Sequence, residues 1–331
     1  MVVATACGLR NVARRLGTSK QSVPPRAERV LRAALLIPVF AALSLLLRGY
    51  GRLGGHAVKL PGRTGFDATV MCRLPDLIAT YIWVFFHEWE PDLTRFIASR
   101  LGDGDVFFID VGANIGYYSL LAAGPVGAHG GVVAVEASPA MFDDLHHNVD
   151  VSGHRDRIRQ VNMAAAAKSG TLTVYAGPRN NAGMSTTLPS RGLHAESTIE
   201  AKPLEEILTF REITSARLIK IDVEGAEPDV LAGMRNIIGT LRDDAEIVVE
   251  LSPRWWPDRH LRPVDVLRPF IEAGFNVYEM TNSYSAWRYL WPNDVRDAIR
   301  LRDPLTARVS RLELVLSRHD GERLAIDART A

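Results

Sequence analysis

The sequence predicts an α/β fold in which a mostly parallel sheet of seven strands carries helices on both faces. Residues 106–109 are β-branched and aromatic, and a glycine turn and a run of good helix formers follow them. Such a short apolar run is typical of a strand buried on both faces of a parallel sheet. Strands of this kind then alternate with helical segments, as in doubly wound folds. Four of the strands end on an acid, namely Asp110, Glu136, Asp222 and Glu250.

These four acids are expected to lie along one edge of the sheet. In an open parallel sheet, ligands bind beyond the carboxyl ends of the strands. Because each acid directly follows a strand, the topology brings all four towards that edge. This convergence predicts a ligand site more strongly than any single residue does.

The other elements continue the alternation. After the first strand, further strands are predicted at residues 131–135, 157–161, 217–221, 246–249, 275–280 and 311–317. Helices are predicted at residues 139–153, 202–210, 223–238 and 257–274, with a hairpin around residues 171–176. The sixth strand is expected to run parallel and the seventh antiparallel beside it. The polar loop 179–186 is interpreted as a lid or substrate contact, and the aromatic connection 281–310 as a substrate cover or a packing insertion.

The first 65 residues differ in charge from the rest of the chain. They hold 11 Lys or Arg and one acid, Glu28, which gives about +10, whereas the remainder carries about −9. We therefore divide the chain into a basic leader (1–65) that is partly disordered, a helical lead-in (66–105) and a doubly wound domain (106–331).

An uncharged apolar run of 15 residues lies at positions 33–47 of the leader. A membrane-spanning helix needs about 20 residues, and Pro38 interrupts the hydrogen-bond ladder, so a simple span is disfavoured. Three interpretations stay open: a helix packed on the body, a signal-peptide core, or an interfacial anchor that contacts a membrane peripherally through residues 26–60.

Cysteine usage gives a weak indication of the compartment. Cys7 and Cys72 form neither a disulfide framework nor a paired metal motif. This favours a reducing environment. A cytoplasmic protein, with membrane association if the leader is an anchor, is the expectation.

The turn after the first strand has the composition of a ligand-binding loop. Gly112, Ala113 and Gly116 let a ligand approach the backbone, and the N–H groups of the next helix point towards it. A dinucleotide site would need a second glycine where this chain has Asn114. Asp110 would also repel a pyrophosphate, but it suits a ligand that carries an ammonium group, such as the methionine part of S-adenosylmethionine.

Two further residues are assigned to the cofactor site. Glu136 follows the glycine turn by about 20 residues, the distance at which doubly wound folds place an acid that accepts hydrogen bonds from ribose hydroxyls. Asn162 follows the third strand at the same edge of the sheet.

Three motifs together resemble the FkbM family of S-adenosylmethionine-dependent methyltransferases. They are FIDVGANIGYYSLLAA, VVAVEASPAMFDDLHHNV and LIKIDVEGAEPDVLAGM. The lead-in YIWVFFHEWEP and the strand IVVELSP are also similar to the family. The resemblance covers about residues 76–253, and it does not extend to the leader or to the aromatic connection.

The resemblance implies a class I, Rossmann-like methyltransferase fold and O-methylation with S-adenosyl-L-methionine as cofactor. It implies that Asp110, Gly112, Ala113, Asn114 and Gly116 bind the methionine part and that Glu136 binds the ribose. It also places Asp222, Glu224 and Glu227 in the family's IDVEGAE motif. The implied acceptor is a hydroxyl of a sugar, a glycolipid or another natural product.

The chemistry of the donor restricts what the protein must do. A sulfonium methyl group is already activated, so the enzyme must align an acceptor oxygen with it and remove a proton. We expect Asp222, Glu224 and Glu250 to be the catalytic residues, with Asp222 as the preferred base. His260 is a weaker candidate. Asp222 and Glu250 could instead hold a divalent cation, but two acids are weak evidence and no metal is expected.

Other functions compete with this interpretation. The spacing to Glu136 permits a nucleotide-binding oxidoreductase, although Asn114 disfavours it. A module that binds S-adenosylmethionine without catalysis also fits the motifs. Nucleic-acid methylation is not expected, because the body is acidic and would repel phosphates. The sequence leaves the acceptor and the oligomeric state open.

Overall fold

The computed structural model describes residues 26–52, 58–74, 76–83, 88–102, 104–178, 181–282, 289, 296–302 and 309–326. Its helices are α1 (Arg26–Arg52), α2 (Leu77–Tyr81), α3 (Pro91–Arg100), α4 (Tyr117–Ala123), α5 (Pro139–Ser152), α6 (Leu204–Ile207), α7 (Phe210–Thr214), α8 (Glu227–Ala232) and α9 (Pro263–Glu272). Residues 1–25, expected to be disordered, and most of the connection 281–310 lie outside the described residues.

The strands form three sheets. They are β1 (Val58–Arg63), β2 (Thr69–Leu74), β3 (Phe107–Val111), β4 (Gly131–Val135), β5 (Ile158–Val161), β6 (Ala164–Ala165), β7 (Gly170–Ala176), β8 (His194–Lys202), β9 (Ala216–Ile221), β10 (Glu246–Leu251), β11 (Asn276–Glu279), β12 (Ala298–Arg300), β13 (Leu312–Ser317) and β14 (Arg323–Leu324).

The main sheet confirms the predicted α/β class. Among the described residues its order is β14-β12-β11-β13-β10-β9-β3-β4-β5. From β5 to β10 neighbouring strands are parallel, while β13 is antiparallel both to β10 and to β11. All seven predicted strands are present. The sheet differs from the prediction by two short additional strands, β12 and β14, at one edge.

Apolar residues on both faces of the sheet explain its central position. Phe108 packs in the cluster on one face, together with Val132 and Leu218. Ile109, the next residue, packs in the cluster on the other face. Because successive side chains of a strand point to opposite faces, an apolar run without alternation is buried only where helices cover both sides. The continuous apolar runs of the sequence therefore match the burial of these strands on both faces.

The lead-in differs from the expected helical segment. The chain forms the hairpin β1–β2 before α2, and the proposed boundary at residue 65 falls in its turn. In β2 the side chains of Val70, Cys72 and Leu74 are buried, whereas Thr69 is exposed. This alternation with a period of two is the signature of a strand with one buried face. The later part of the lead-in, α2 and α3, is helical as expected.

Three predicted helices are also shorter than expected, and the one predicted at residues 257–274 is limited to α9 (Pro263–Glu272). Lys202 ends β8, and the helices that follow are α6 and α7. The segment predicted as a helix from residue 223 begins its helix at Glu227, because Gly225 turns with a φ of 105°. Strand β8 pairs antiparallel with β7, which gives the hairpin that was predicted around residues 171–176 a long second strand.

Helix α1 packs on the body through one face. Its Leu36 and Leu43 are buried in the same apolar cluster as Phe108. The interpretation of the apolar run as a helix packed on the body agrees with this contact. Within the described ranges, no helix combines the length and the apolar character that crossing a membrane requires.

The β1–β2 hairpin is fixed to α5 by polar contacts. Asp144 accepts hydrogen bonds from Lys59 at 2.6 Å and from Arg73 at 2.7 Å. Asn148 accepts from the Met71 N–H at 2.7 Å and donates to the Ile115 carbonyl at 2.8 Å. A single amide thus joins the hairpin, α5 and the glycine turn.

We expect Asn148→Ala to destabilise the fold. Asn148 is fully buried, and its loss leaves the Met71 N–H and the Ile115 carbonyl without partners, at about 1–3 kcal/mol for each buried group. The free energy of unfolding, measured in urea, should fall by at least about 2 kcal/mol. His147→Ala, on the exposed side of α5, is the control and should change it by less than about 0.5 kcal/mol. Equal effects of the two substitutions would contradict the bridging role.

Candidate active site

A cleft opens at the carboxyl ends of β3, β4 and β9. About 640 Å³ of space lies within it, part of which is open solvent. Four residues assigned from the sequence line it: Gly112, Asn114, Glu136 and Asp222. Six other assigned residues do not line it, namely Asp110, Ala113, Gly116, Asn162, Glu224 and Glu250.

The glycine turn is held against the end of β4. The N–H groups of Gly112 and Ala113 both donate to the Val135 carbonyl, at 2.9 and 3.0 Å. Gly112 has a φ of 79°, and a Cβ there would lie 1.8 Å from the Asp222 carbonyl oxygen. Gly116 has a φ of 86° and begins α4. The turn is therefore tightly packed on two neighbouring strands.

Glu136 joins the glycine turn to the start of α5. One carboxylate oxygen accepts from the Asn114 N–H at 2.7 Å, and the other accepts from the Ser138 N–H at 2.8 Å. Burial raises the pKa of Glu136 to about 7. Each carboxylate oxygen has a further lone pair, so the group can still accept hydrogen bonds from a ligand in the cleft.

Asn162 has a supporting position. Its amide donates to the Glu136 carbonyl at 2.8 Å and does not line the cleft. The side chain therefore fixes the backbone that carries the Glu136 carboxylate. Direct contact of Asn162 with a cofactor stays a prediction.

Residues 182–187 form a strap along the cleft, and five of the six line it. The Ala182 N–H donates to Asp76 at 2.8 Å, while Asp76 also caps the start of α2. At the other end, the Thr186 hydroxyl donates to the Glu224 carbonyl at 3.0 Å. The polar loop expected to be a lid or a substrate contact is thus anchored to the lead-in and to the motif after β9.

Asp110 lies behind the glycine turn and is fully buried. One of its oxygens accepts from the Ser119 hydroxyl at 2.7 Å, and the other lies 3.6 Å from the Lys220 ammonium. Burial raises the pKa of Asp110, against the opposing effect of the Lys220 charge. The expected contact between Asp110 and a ligand ammonium stays a prediction, since its observed cationic neighbour is Lys220.

Lys220 is a buried cation that the sequence analysis missed. Its ammonium lies 3.3 Å from Asp222 as well as near Asp110, and it faces the Tyr118 ring at 5.1 Å. Burial alone would lower the pKa of Lys220, but the Asp222 and Asp110 carboxylates together raise it above the usual range. A lysine between Ile219 and Ile221 was the available signal, because buried lysines need a charged partner.

Asp222 lines two cavities. Besides the main cleft, it lines a smaller cavity with Glu90, Lys220, Glu250 and Glu313. The structure therefore brings Asp222 and Glu250, two of the three expected catalytic residues, to one cavity. Asp222 is the residue that connects this cavity to the cleft.

Glu224, the third expected catalytic residue, lines neither cavity. Its carboxylate lies 3.2 Å from the Arg191 guanidinium, which stacks on the Trp255 ring at 4.3 Å. Burial and the negative charges of Asp222 and Glu250 raise the pKa of Glu224 to about 8. A catalytic role for Glu224 stays a prediction.

Glu227 fixes the motif after β9 to the end of β10. It accepts hydrogen bonds from the Gly225 N–H at 2.5 Å, from the Ser252 N–H at 3.3 Å and from the Trp256 indole N–H at 2.8 Å. Burial raises its pKa to about 7. The residue therefore acts on the site through the backbone of two loops.

Three carboxyl groups meet in the smaller cavity. Oxygens of Glu90, Glu250 and Glu313 lie within 4.8 Å of one another, close enough for one cation to contact all three. Burial and the charges of Glu250 and Glu90 raise the pKa of Glu313 well above its usual value. Glu90 also accepts a hydrogen bond from the Tyr118 hydroxyl.

Glu90 was not recognised from the sequence. It lies at a φ of 45°, an uncommon conformation for a residue with a side chain, immediately before Pro91 and α3. No local pattern in the sequence marks it. Its neighbours in the structure, Asn282 and Glu313, are distant from it in the sequence.

Comparison with known proteins gives one family match. The description "Methyltransferase FkbM domain" matches residues 110–283, slightly more than half of the chain. The matched segment contains the glycine turn, Glu136, the strap and the motif after β9. It therefore covers the whole lining of the cleft described above.

Individual relatives match shorter parts. A hexuronic acid methyltransferase, AglP, of Haloferax volcanii is 27% identical over 154 residues, which are 45% of this chain and 58% of that protein. Methyltransferase 1 of Beauveria bassiana is 29% identical over 164 residues, 44% of this chain and 65% of that protein. The chain thus spans about three fifths of the length of these curated relatives. A solved O-methyltransferase of Bacillus cereus in complex with SAH covers 70% of this chain and 83% of its own, with 13% identity and a TM-score of 0.38.

We expect Lys220→Met to destabilise the protein more strongly as the pH rises. Without the Lys220 ammonium, the pKa of buried Asp110 rises further. The folded variant therefore keeps the Asp110 proton at pH values at which the unfolded chain, with its ordinary pKa of 3.8, has already released it. Loss of one partner of a buried ion pair costs about 3–5 kcal/mol near pH 7, and the cost should be smaller at pH 5. Unfolding in urea at both pH values measures this difference.

Lys202→Met is the control, because Lys202 lies at the surface and pairs with a half-exposed Glu200. It should change stability little at either pH. Adding Asp110→Asn to Lys220→Met should recover part of the loss. A loss that does not depend on pH would contradict the coupling between Lys220 and Asp110.

Proposed function

Because the chain belongs to the FkbM methyltransferase family, we propose that it transfers the methyl group of S-adenosyl-L-methionine to a hydroxyl of a sugar or a related natural product. One observation carries the proposal. The cleft contains both Glu136, a carboxylate suited to ribose hydroxyls, and Asp222, a carboxylate that reaches the adjoining cavity. A cofactor-binding acid and a potential base thus occupy one continuous site.

Family membership confirms three expectations from the sequence. These are the resemblance to FkbM proteins, the methyltransferase class of the domain and S-adenosyl-L-methionine as its cofactor. The class I fold agrees with the order of the seven central strands. The roles of individual residues below are our proposal.

The residues of the cleft fit this cofactor. Glu136 offers free lone pairs next to the glycine turn, and Gly112 and Asn114 bring the turn itself to the cleft. Met163, Ala164 and Ala165 add a flat apolar wall suited to an adenine ring. We propose that Glu136 binds the ribose and that the turn holds the methionine part.

The same geometry disfavours a dinucleotide cofactor. In dinucleotide sites the N–H groups of the turn bind the pyrophosphate. Here the Asn114 N–H donates to Glu136 at 2.7 Å. A pyrophosphate would have to displace a carboxylate and would meet its negative charge. The oxidoreductase alternative therefore has little support from the site.

When bound, S-adenosyl-L-methionine supplies a methyl group activated by a positively charged sulfur. The protein must align the acceptor oxygen and accept its proton. We propose that Asp222 accepts this proton, because it lies where the cleft meets the smaller cavity. Lys220, 3.3 Å away, holds the Asp222 side chain in place. Glu250 lines the same cavity and is the alternative acceptor of the proton.

The acceptor is proposed to be a sugar hydroxyl. The relative from Haloferax volcanii is named for its action on a hexuronic acid, and its match with this chain includes no more than 58% of that protein. Free hexuronic acids and their glycosides are therefore the first acceptors to test. A glycolipid is the same chemical class with an added lipid anchor.

We expect Asp222→Asn to reduce methyl transfer to a hexuronic acid glycoside by at least about 100-fold, because a general base contributes about 10²–10⁴ to the rate. Its affinity for the cofactor should change less than about threefold, since a proton acceptor is not needed for binding. Transfer is measured with methyl-labelled donor, and affinity by isothermal titration. Asp229→Asn, on the exposed side of α8, should leave both unchanged. Full transfer by the Asp222→Asn variant would rule out Asp222 as the base.

We also expect the affinity for S-adenosyl-L-methionine to increase with pH. Ribose hydroxyls donate to the charged form of Glu136, whose pKa is about 7 in the free protein. Below pH 7, binding must therefore release a proton, so the affinity should rise about tenfold from pH 6 to pH 8. Isothermal titration in buffers of different ionisation enthalpy detects the released proton. Glu136→Gln should bind more weakly and lose this pH dependence, and an unchanged pH profile in that variant would exclude Glu136 as its source.

A further inference from the structure

Helix α1 has two apolar faces, and among the described residues one of them contacts the body. Ala33, Leu36 and Leu43 are buried. On the other side, Leu31, Leu35 and Leu45 are 60%, 43% and 71% exposed. Positions 31, 35, 38, 42 and 45 lie within one narrow sector of a helix with 3.6 residues per turn. We call these five positions the outer stripe.

The outer stripe is apolar along its whole length. Pro38 and Ala42, like the three leucines, are exposed. Val30 and Ile37, 52% and 38% exposed, extend the apolar surface at its side. In the part of the chain that the structure describes, nothing covers this surface. A contiguous exposed apolar surface of this kind marks an interaction site.

The composition of the stripe favours lipid over a protein partner. Protein interfaces are enriched in Tyr, Trp, Met and Arg, which combine apolar area with polar groups. The stripe consists of Leu, Ala and Pro, which offer no side-chain hydrogen bonds. Such residues suit the acyl boundary of a bilayer, where polar partners are scarce.

The charges of α1 favour an anionic surface. The helix contains five arginines and a single acid, Glu28. Arg26, Arg29 and Arg32 belong to its first two turns, and Arg48 and Arg52 to its last two. About 24 Å of uncharged helix lies between Arg32 and Arg48. Basic residues at both ends of an apolar helix attract it to anionic headgroups while the apolar face enters the interface.

We propose that the outer stripe of α1 docks on an anionic lipid bilayer, with the helix lying in the plane of the interface. Leu36 and Leu43 hold the opposite face of the helix against the core of the body. The docked helix therefore carries the whole domain to the membrane surface. This inference concerns a surface outside the cleft and goes beyond the proposed methyl transfer.

Sedimentation of the full chain with vesicles tests the proposal. The protein should bind vesicles that contain phosphatidylglycerol, bind pure phosphatidylcholine vesicles much more weakly, and lose binding as the salt concentration rises. Leu31→Ser combined with Leu35→Ser and Leu45→Ser should weaken binding to the anionic vesicles by at least about tenfold. Because the three side chains are exposed, circular dichroism and thermal unfolding of this variant should match those of the parent.

A matched control carries three apolar-to-serine changes on exposed residues of the body: Val151→Ser, Phe210→Ser and Ile271→Ser. It should bind anionic vesicles as the parent does. No binding by the parent, or equal binding by the stripe variant, would overturn the proposal. A mass in solution that falls from dimer to monomer in the stripe variant, with no vesicle binding by the parent, would assign the stripe to a second copy of the chain instead.

Discussion

The buried ammonium of Lys220 is the interaction on which the site depends. Strands β3 and β9 are neighbours, and their register places Lys220 directly opposite Asp110. Asp110 precedes the glycine turn, and Asp222 precedes the motif that carries Glu224 and Glu227. One cation thus compensates the acids at the ends of both strands. Without it, two carboxylates would face each other across a pair of parallel strands in a low-dielectric interior, which is strongly unfavourable.

Burial raises the pKa values of several acids around Lys220, each to a different extent. Burial raises the pKa of Glu136 and of Glu227 to about 7, and that of Glu224 to about 8 with the help of neighbouring charges. Burial and the charges of Glu250 and Glu90 raise the pKa of Glu313 well above its usual value. Similar side chains therefore play different parts: Glu136 and Glu227 accept hydrogen bonds from backbone N–H groups, whereas Asp222 lies 3.3 Å from the Lys220 ammonium.

The sequence predicted the central sheet well because its strands are continuous apolar runs with acids or glycines at their ends. Four of the ten residues assigned to the site line the cleft. The six others include Asp110 and Asn162, whose side chains contact neighbouring residues of the site and not the cleft. The sequence shows that a residue lies at the end of a strand, but it does not show whether the side chain points into the cleft. The β1–β2 hairpin was missed because its alternation is short and contains Pro61 and Gly62. Glu90 joins the site only through long-range packing, which no local pattern encodes.

The contact between Gly112 and the Asp222 carbonyl links the cofactor turn to the proposed base. A methyl group at position 112 would lie 1.8 Å from that oxygen, so no side chain fits there unless the backbone at 222 moves. During evolution the two loops are therefore not free to diverge independently. A relative with another residue at position 112 must also have a reshaped loop after β9, and with it a different placement of the group that accepts the proton.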